Sequence, residues 1–473
     1  MLELGMSYEI HADRSQTFLL PPALDDWVPS DHPARFVAEF VESLDLPAMG
    51  FEVGHAPVGR PSYSAELLLS IYCYCYFSGI RAFRHLERAC SENVAVMWIA
   101  GLQRPDHNSF WRFIRDNKKV LRGLLKQSVQ VAARLGLVEM VLNAVDGTKI
   151  QAAASMKTAR YRRTLEAALQ RLDKSIEEFE TELERSAEEE LDGYRLPEEL
   201  ADAQERREAI RRSLLELNRA ETNTLSPNDP DARVMKCSGK QLLGYNAQAV
   251  ADESGIVLAA EVFQNENDRG LLSTMIERVE ENVGQIAAET LADKGYSSAE
   301  DLGEAEEKAI PVLVNLPQNV APPEGTSPFH ASRFTYDAER DCCICPIGRE
   351  LKLQRSRKSR RGLFTKVYHC ACYRDCPMRK RCSSNKRGRT IELSNHHQAV
   401  ENQRQKLQAP GAKEKLDRRG VIVEPVFAVV KEVLGFRRWS VRGLENVRTQ
   451  WALICSIVNL RKLYPLWRAN LVT

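Results

Sequence analysis

The chain has 473 residues and carries 66 Lys and Arg against 65 Asp and Glu, a formal net charge of +1. This length exceeds what one compact core supports, so we expect two or three domains. The balanced charge excludes a uniformly basic coat for nucleic acid, while it leaves room for local segregation of charge.

The chain shows no targeting or membrane signal in its sequence pattern. The most apolar segment, residues 67–77, is about half as long as a bilayer span requires. The beginning of the chain contains Glu3, Glu9 and Asp13 and lacks the basic start and apolar run of a secretory signal. We therefore expect a cytoplasmic protein without a membrane-spanning helix.

Residues 1–135 are predicted to be helical. Ser64 is suited to cap a helix with an apolar stripe that ends at Gly79. Further helical patterns follow and are broken at Gly101 and Pro105. These helices carry arginines on their outer faces, among them Arg84, Arg88 and Arg112. A compact basic unit of this kind could bind in a DNA groove. The alternative interpretation, a surface with scattered arginines, has at least equal weight.

Short β-branched segments in the middle of the chain predict buried strands. Residues 138–148 form one such segment, with Asp146 at the expected end of the strand. Asp293 closes another short strand, and residues 245–263 alternate on both sides of a turn at residues 252–255, which predicts a hairpin. Alternating strands and helices indicate an α/β domain.

Residues 161–222 repeat apolar side chains at heptad spacing on both sides of a break near Gly193 and Pro197. This pattern predicts two antiparallel helices that pack as a hairpin. Residues 161–221 hold eleven Lys and Arg against eighteen Asp and Glu, so we do not expect the hairpin to be the main DNA-binding surface.

Residues 346–390 contain fifteen Lys and Arg but only two Asp and Glu. This segment concentrates the basic character of the chain and is our candidate for contacts with DNA phosphates. The residues proposed to bind DNA here are Arg355, Arg357, Lys358, Arg360 and Arg361.

Seven of the twelve cysteines lie between residues 342 and 382. In a reducing compartment such a cluster favours a metal over disulfides, and a tetrahedral Zn²⁺ site needs about four ligands. The candidate structural zinc ligands are Cys342, Cys345, Cys372, Cys376 and Cys382. Free or redox-sensitive thiols are the alternative interpretation.

Three carboxylates are the candidates for chemistry: Asp146, Asp293 and Glu424. We expect Glu424 to open a late helix, with Pro425 in its first turn. Converging carboxylates bind hard cations, and two Mg²⁺ or Mn²⁺ ions support phosphoryl transfer. Spacing alone is weak support, because the chain offers 65 acidic residues.

The segments around these carboxylates resemble, in this order, the DDE transposases of bacterial insertion sequences, in particular the eleven-eighty-two type: VDGTKIQAAAS, SPNDPDARVM, GYNAQAVAD, LADKGYSS and VEPVFAVVKEVLGFRRWSVRGLENV. The segments PSYSAELLLSIYCYCYFSGIRAFRHLERAC and RPDHNSFWRF resemble the InsH-like N-terminal domain of that family. The resemblance covers nearly the whole chain. It implies an RNase H-like (retroviral integrase-like) α/β catalytic core that cuts transposon ends with metal ions and joins them to a target.

Carried over by motif, Asp146 and Asp293 match the two catalytic aspartates and Glu424 matches the catalytic glutamate. Together they would hold two Mg²⁺ or Mn²⁺ ions. Lys431 matches a lysine that holds a DNA phosphate, and Arg419 is the candidate for the arginine of the same signature.

Some positions of the signature are uncertain or depart from the family. Arg418 is an alternative to Arg419, and the tyrosine position falls on Leu416 or Asp417. Gln450 stands where an acidic residue is common in the last helix. These departures put efficiency or regulation in doubt more than the chemistry itself.

Three smaller predictions concern polar or aromatic residues near the motifs. Asp268 is predicted to cap a helix, and Trp439 is predicted to lie in the core. Tyr245, Asn246 and Gln248 match a YNxQ strand of the family. They either satisfy buried backbone groups or act on DNA or metal.

The patterns and the resemblance together predict four parts. They are a helical DNA-binding domain (residues 1–135), an RNase H-like core (136–160, 223–315 and 400–473), a helical hairpin insertion (161–222) and a Cys-rich basic insertion (316–399). The implied partners are double-stranded terminal inverted repeats and target DNA, with a homodimer or larger assembly on DNA in the bacterial nucleoid. The alternatives are an inactive, transposon-derived DNA-binding protein and a structure-selective nuclease.

Overall fold

A computed structural model describes residues 23–52, 62–187, 198–237, 239–317, 327–358 and 364–471. By its internal contacts the chain divides into two compact units, Met1–Phe113 with Tyr464–Thr473, and Ile114–Leu463. The described helices include none that is long and apolar enough to cross a membrane. The fold is a mixed α/β structure with a helical N-terminal region.

The first unit is helical, as predicted. The Ser64 hydroxyl accepts the amide hydrogen of Leu67, and Ser78 and Gly79 end the same helix, so both predicted signals are confirmed. Residues 68–77 are all buried, which explains a helix that is apolar on every side. The N-terminal α-helices of this unit are α1 (Pro33–Glu42), α2 (Leu46–Met49), α3 (Ala65–Phe77), α4 (Phe83–Glu92), α5 (Val94–Ile99) and α6 (His107–Asp116). The last of them, α6, continues three residues past the end of the unit at Phe113.

The second unit is built on a six-stranded mixed sheet. Its strands are β1 (Leu142–Gln151), β4 (Arg233–Cys237), β5 (Lys240–Asp252), β6 (Val257–Phe263), β7 (Glu289–Ala292) and β8 (Val312–Val314). β5 pairs antiparallel with β1, and β4 and β6 pair with successive halves of β5. β7 is parallel to β1, and β8 is parallel to β7. The predicted hairpin is confirmed by the antiparallel pair β5 and β6.

The helices that pack around this sheet are α7 (Lys118–Arg134), α10 (Leu272–Val283), α11 (Ala299–Glu307), α13 (His397–Gln408), α14 (Ala412–Ala428) and α15 (Leu444–Asn470). α14 contacts β1, β5 and β7, and α10 contacts β5 and β6. The aromatic core includes Trp439, which is 2% exposed and was predicted to be buried. Its ring lies edge-on to Trp451, Phe436 and Tyr245.

Two long helices, α8 (Arg162–Ala187) and α9 (Glu198–Arg219), pack against each other. Ile176 of α8 and Leu217 of α9 are buried, as the apolar stripe requires. β2 (Arg160–Tyr161) precedes α8 and β3 (Thr224–Leu225) follows α9. The two strands pair antiparallel as a short ribbon. The predicted break at Gly193 and Pro197 lies outside the described residues.

A second sheet is antiparallel throughout, in the order β13, β12, β11, β10, β9. A short helix, α12 (Arg379–Cys382), lies between its last two strands in the chain. The strands are β9 (Thr335–Asp337), β10 (Cys342–Ile344), β11 (Glu350–Lys358), β12 (Phe364–His369) and β13 (Thr390–Ser394). Asp341 ties this sheet together, because its Oδ1 accepts hydrogen bonds from Tyr336, Lys366 and Tyr368 at 2.7 to 2.9 Å.

Asp341→Asn is expected to destabilise the protein by about 1 kcal/mol at pH 7, because the substitution removes a carboxylate that three donors stabilise. These donors lower the Asp341 pKa from its usual 3.8 to about 2. The carboxylate therefore stabilises the fold fully above pH 4, and this contribution is lost as the pH falls through 2. Urea unfolding of both proteins between pH 7 and pH 2 tests this. A difference that stays constant in acid would contradict it, and Tyr336→Phe should show a smaller loss with the same pH course.

Two boundaries differ from the prediction. Asp146 does not end its strand: β1 continues to Gln151, because residues 147–151 keep their pairing with β5. The predicted helix start at Glu424 is also wrong, since α14 begins at Ala412 and Pro425 lies inside it. Proline cannot donate the interior hydrogen bond, and the residue whose carbonyl would accept it, Val421, is 76% exposed.

Candidate active site

Asp146 lies on β1 in the central sheet, and its side chain is 23% exposed. Its Oδ1 accepts the Gly147 amide hydrogen at 2.8 Å, and its Oδ2 accepts from Arg419 Nη1 at 2.9 Å. Burial raises the Asp146 pKa above its usual 3.8, the Arg419 guanidinium opposes this, and the nearby charge of Asp293 adds to the rise. Asp146 is thus a largely buried carboxylate whose ionised form a nearby cation would stabilise.

Asp293 directly follows β7, as the sequence predicted. Its Oδ1 accepts the Gly295 amide hydrogen at 2.7 Å, which fixes a tight turn over Lys294–Tyr296. Because β7 runs parallel to β1 as its direct neighbour, the strands bring Asp293 into electrostatic contact with Asp146.

Glu424 and Arg419 both lie on α14, which packs against β1 and β7. Arg419 Nη2 lies 3.9 Å from Glu424 Oε1, while Arg419 Nη1 contacts Asp146. Arg418 instead forms an ion pair with Glu253. The structure therefore distinguishes the two candidate arginines: Arg419 bridges two of the three carboxylates, and Arg418 points elsewhere.

Lys431 lies beyond α14, in a π-helical segment, Val429–Val433. The seven residues from Glu424 to Lys431 would make about two turns of a regular α-helix, but they span fewer turns here because a π turn holds more residues than an α turn. Gln450, the other departure from the family pattern, is buried and accepts the backbone amide hydrogen of Ser440 at 3.2 Å. Its role here is to hold the segment before α15.

The prediction that Asp268 caps a helix is wrong. α10 begins at Leu272 with Leu271 at the cap position, and Asp268 reaches back to the sheet instead. Asp268 Oδ1 accepts hydrogen bonds from Lys149 Nζ at 3.0 Å and from Asn246 Nδ2 and Gln248 Nε2 at 2.8 Å each. The reason is that three donors on two paired strands outweigh one helix terminus.

Sequence reasoning missed Lys149 and Tyr296 as parts of this network. Tyr296 is fully buried and its hydroxyl donates to Gln248 Oε1. A signal was present, because both residues lie three positions after a candidate aspartate, in DGTK and DKGY. Tyr245 does not join the network, since its hydroxyl donates to Asp229 Oδ1 at 2.6 Å.

The donor chemistry of the site fits hard cations, because Asp146, Asp293 and Glu424 offer only carboxylate oxygens. A positive group, the Arg419 guanidinium, already contacts Asp146 and lies near Glu424. Within the described ranges, no group of three or more His, Cys, Asp or Glu side chains has the arrangement to hold a metal ion. Glu424 is 68% exposed.

The cysteines do not all share one environment. Cys345, Cys372 and Cys382 pack against a buried cluster that contains Cys343 and Cys370. Cys342, in the same strand as Cys343, is not part of this cluster and lies near Glu350 and Asp337. The sulfur atoms of Cys370 and Cys372 are 3.5 Å apart, and Cys376 is partly exposed. Zinc binding stays a prediction.

Three of the predicted DNA-binding residues, Arg355, Arg357 and Lys358, lie exposed on β11. Arg357 pairs with Glu392 at 2.5 Å, and Lys358 Nζ lies 5.4 Å from the centre of the Phe364 ring. Arg360 and Arg361 lie outside the described residues.

Two family models match parts of the chain. A transposase DDE domain model matches residues 344–464, and a transposase domain model (DUF772) matches residues 22–116. Both matched segments are thus of the transposase class. Together they support an insertion-sequence DDE transposase, in agreement with the resemblance of the motifs. Neither the curated proteins nor the solved structures give a match.

The matches cover only part of the site, because the DUF772 match contains none of its residues. The DDE match contains Glu424, Arg419 and Lys431 together with the second sheet from Ile344 onwards, whereas Asp146 and Asp293 precede it. The assignment of these two aspartates therefore depends on their motifs and on their geometry.

Proposed function

We propose that this chain is an insertion-sequence transposase that cuts transposon ends and joins them to target DNA by metal-dependent phosphoryl transfer. The observation that carries the proposal is the convergence of Asp146 and Asp293 from neighbouring parallel strands, with Arg419 reaching from α14 to Asp146. The transposase matches support DNA as the substrate class.

We assign an RNase H-like core to the central sheet. The support is the strand order β6, β5, β1, β7, β8, in which the first three strands are antiparallel and the last two continue parallel to β1. This is the arrangement expected of the core that the sequence resemblance implies. In this assignment α8 and α9 form one insertion and the second sheet forms another.

Asp146, Asp293 and Glu424 would hold two Mg²⁺ or Mn²⁺ ions. Held there, such ions would supply Lewis-acid stabilisation of the charge that develops on the attacking and leaving oxygens. The protein's part is to present ionised oxygens. The Arg419 charge favours the ionised form of Asp146, and the Gly147 and Gly295 amides orient the two aspartates. Arg419 and Lys431 are proposed to bind DNA phosphates, which guanidinium and ammonium groups both do well.

The partners in this proposal are the terminal inverted repeats of the element and a target duplex, with two or more copies of the chain assembled on DNA. The helical first unit would recognise the ends, because helices with exposed basic residues suit the major groove. Arg355, Arg357 and Lys358 on β11, with Arg360 and Arg361, would contact phosphates.

A cleavage assay with the full-length chain tests the proposed function. The probes are linear duplexes taken from the DNA that flanks the coding sequence, and shuffled duplexes of equal length. We expect cuts at defined positions in the flanking duplexes with Mg²⁺, and none with EDTA. Binding without any cleavage would make the chain an inactive DNA-binding protein. Cleavage of flanking and shuffled duplexes alike would make it a structure-selective nuclease.

Replacing Arg355 and Lys358 together by Ser is expected to weaken binding to flanking and shuffled duplexes by the same factor. Each lost phosphate contact should reduce the slope of log affinity against log salt by about 0.9. Titrations at several salt concentrations measure this slope. Lys236→Ser is the control, because it removes one Lys from β4 of the central sheet. An unchanged slope in the double variant would show that β11 is only a solvated surface.

A further inference from the structure

Asp268 connects the side chains of two neighbouring strands. Its Oδ1 accepts from Lys149 on β1 and from Asn246 and Gln248 on β5. The strand register places Lys149 opposite Asn246, and Gly147 opposite Gln248, so all three donors come from one patch of the sheet. Charged hydrogen bonds of this kind are stronger than neutral ones, and the pair with Lys149 balances the partly buried charge of Asp268.

The network continues from Gln248 to the turn that carries Asp293. Gln248 Nε2 donates to Asp268 and to Asn246 Oδ1 at 2.9 Å, which orients the amide so that Oε1 faces Tyr296. The Tyr296 hydroxyl donates to this oxygen. The Tyr296 amide also donates to the Asp293 carbonyl at 3.2 Å.

Two glycines allow this close approach. A Cβ atom added at Gly147, the residue after Asp146, would lie 2.0 Å from Gln248 Nε2. A Cβ atom added at Gly295 would lie 2.8 Å from Asp293 Oδ1 and 3.2 Å from Asp268 Oδ2. Gln248 therefore lies directly over the strand of Asp146, and Asp268 lies beside Asp293.

We propose that Asp268 is a positioning residue for the Asp146 and Asp293 pair, acting through Gln248 and Tyr296. The inference rests on the proposed function, which makes that pair a cation site. The two carboxylates repel each other, so their separation has to be set by groups that hold β1 and the Asp293 turn together. The hydrogen-bonded path from Asp268 through Gln248 to Tyr296 is such a connection. Partners of metal-binding carboxylates typically change metal affinity 10-fold to 100-fold when they are removed.

The test measures binding of Mn²⁺ alone to the full-length chain, by the electron paramagnetic resonance signal of free Mn²⁺. Asp268→Asn and Tyr296→Phe are each expected to weaken Mn²⁺ binding about 10-fold or more. The double variant should bind no more weakly than the weaker single variant, because both changes break one path. Tyr296→Phe removes only a hydroxyl, so it keeps the test available if Asp268→Asn does not fold.

Asp252→Asn is the matched control. Asp252 is a buried aspartate that accepts hydrogen bonds from the Ile256 and Glu139 amides and the Ser254 hydroxyl at the end of the β5 and β6 hairpin. Its replacement should lower stability in urea and leave Mn²⁺ binding unchanged. A purely structural role of Asp268 would make Asp268→Asn behave in the same way, which would overturn the proposal.

The remaining outcomes separate this inference from the proposed function. If Asp146→Asn abolishes Mn²⁺ binding while Tyr296→Phe and Asp268→Asn bind like wild type, the positioning role is wrong and the cation site stands. If Asp268→Asn binds weakly but Tyr296→Phe binds normally, Asp268 acts directly on the cation and the path is wrong. If wild type and Asp146→Asn bind Mn²⁺ equally, or neither binds it, both the positioning role and the cation site are wrong.

Discussion

Asp146→Asn and Asp293→Asn are each expected to lower the rate of Mg²⁺-dependent DNA cleavage at least about a thousandfold. A cation site contributes several kcal/mol of transition-state stabilisation, and each 1.4 kcal/mol is about tenfold in rate. Each substitution replaces one oxygen of a carboxylate in this electrostatically coupled pair. Single-turnover cleavage of flanking duplexes at saturating protein measures the effect. Full activity in either variant would remove that residue from the site.

Two further measurements separate lost chemistry from lost fold. DNA binding in EDTA should change little, since the proposed phosphate contacts lie on other residues. Burial raises the Asp146 pKa in the folded chain above 3.8, the pKa that this group has in the unfolded chain. The ionised carboxylate therefore lowers the stability of the fold as the pH rises above 3.8. Asp146→Asn removes this burial penalty at pH 7 but also loses the ion pair with Arg419. The thermal unfolding midpoint of the variant should therefore fall by no more than the loss of that ion pair explains.

Trp451→Ala is expected to destabilise the protein by about 3–5 kcal/mol, the range for removing a fully buried aromatic side chain. Its ring stacks on Phe427 of α14 and lies edge-on to Trp439, and its Nε1 donates to the Gln248 carbonyl at 2.8 Å. The substitution therefore leaves a cavity and removes a hydrogen bond to a buried carbonyl. Urea unfolding followed by circular dichroism measures the loss.

Trp27→Ala is the control for Trp451→Ala, because Trp27 is the same residue type and is 53% exposed. Its replacement should change the free energy of unfolding by no more than about 0.5 kcal/mol. A loss below about 1 kcal/mol for Trp451→Ala would contradict the packing described for the central sheet and α14.

Local sequence patterns determined the elements whose stabilising groups are near in the chain. The Ser64 cap depends on an amide three residues later, and the β5 and β6 hairpin depends on its own turn and alternation. Asp293 ends a strand because the next residues form a tight turn around its carboxylate. The ordered motifs also predicted the transposase class, since a motif match needs no knowledge of contacts.

The extent of α14 shows where local reasoning failed. Proline favours a first turn, so Pro425 pointed to a helix start, yet packing of α14 against β1 and β7 holds the helix across it. The end of β1 was missed for a similar reason. The residues of β1 after Asp146 pair with β5, a strand about a hundred positions later in the chain. The local sequence pattern therefore could not predict that pairing.

Only the tertiary structure decided which polar groups meet at the site. Asp268 bonds Lys149, a residue 119 positions away, and Arg419 bonds Asp146 across 273 positions. From sequence, Asp268 looked like a helix cap and Arg418 was as good a candidate as Arg419. The choice depends on which side chain faces the central sheet once β1, β5, β7 and α14 have packed, and hydrogen bonds between distant residues follow from that packing rather than from spacing along the chain.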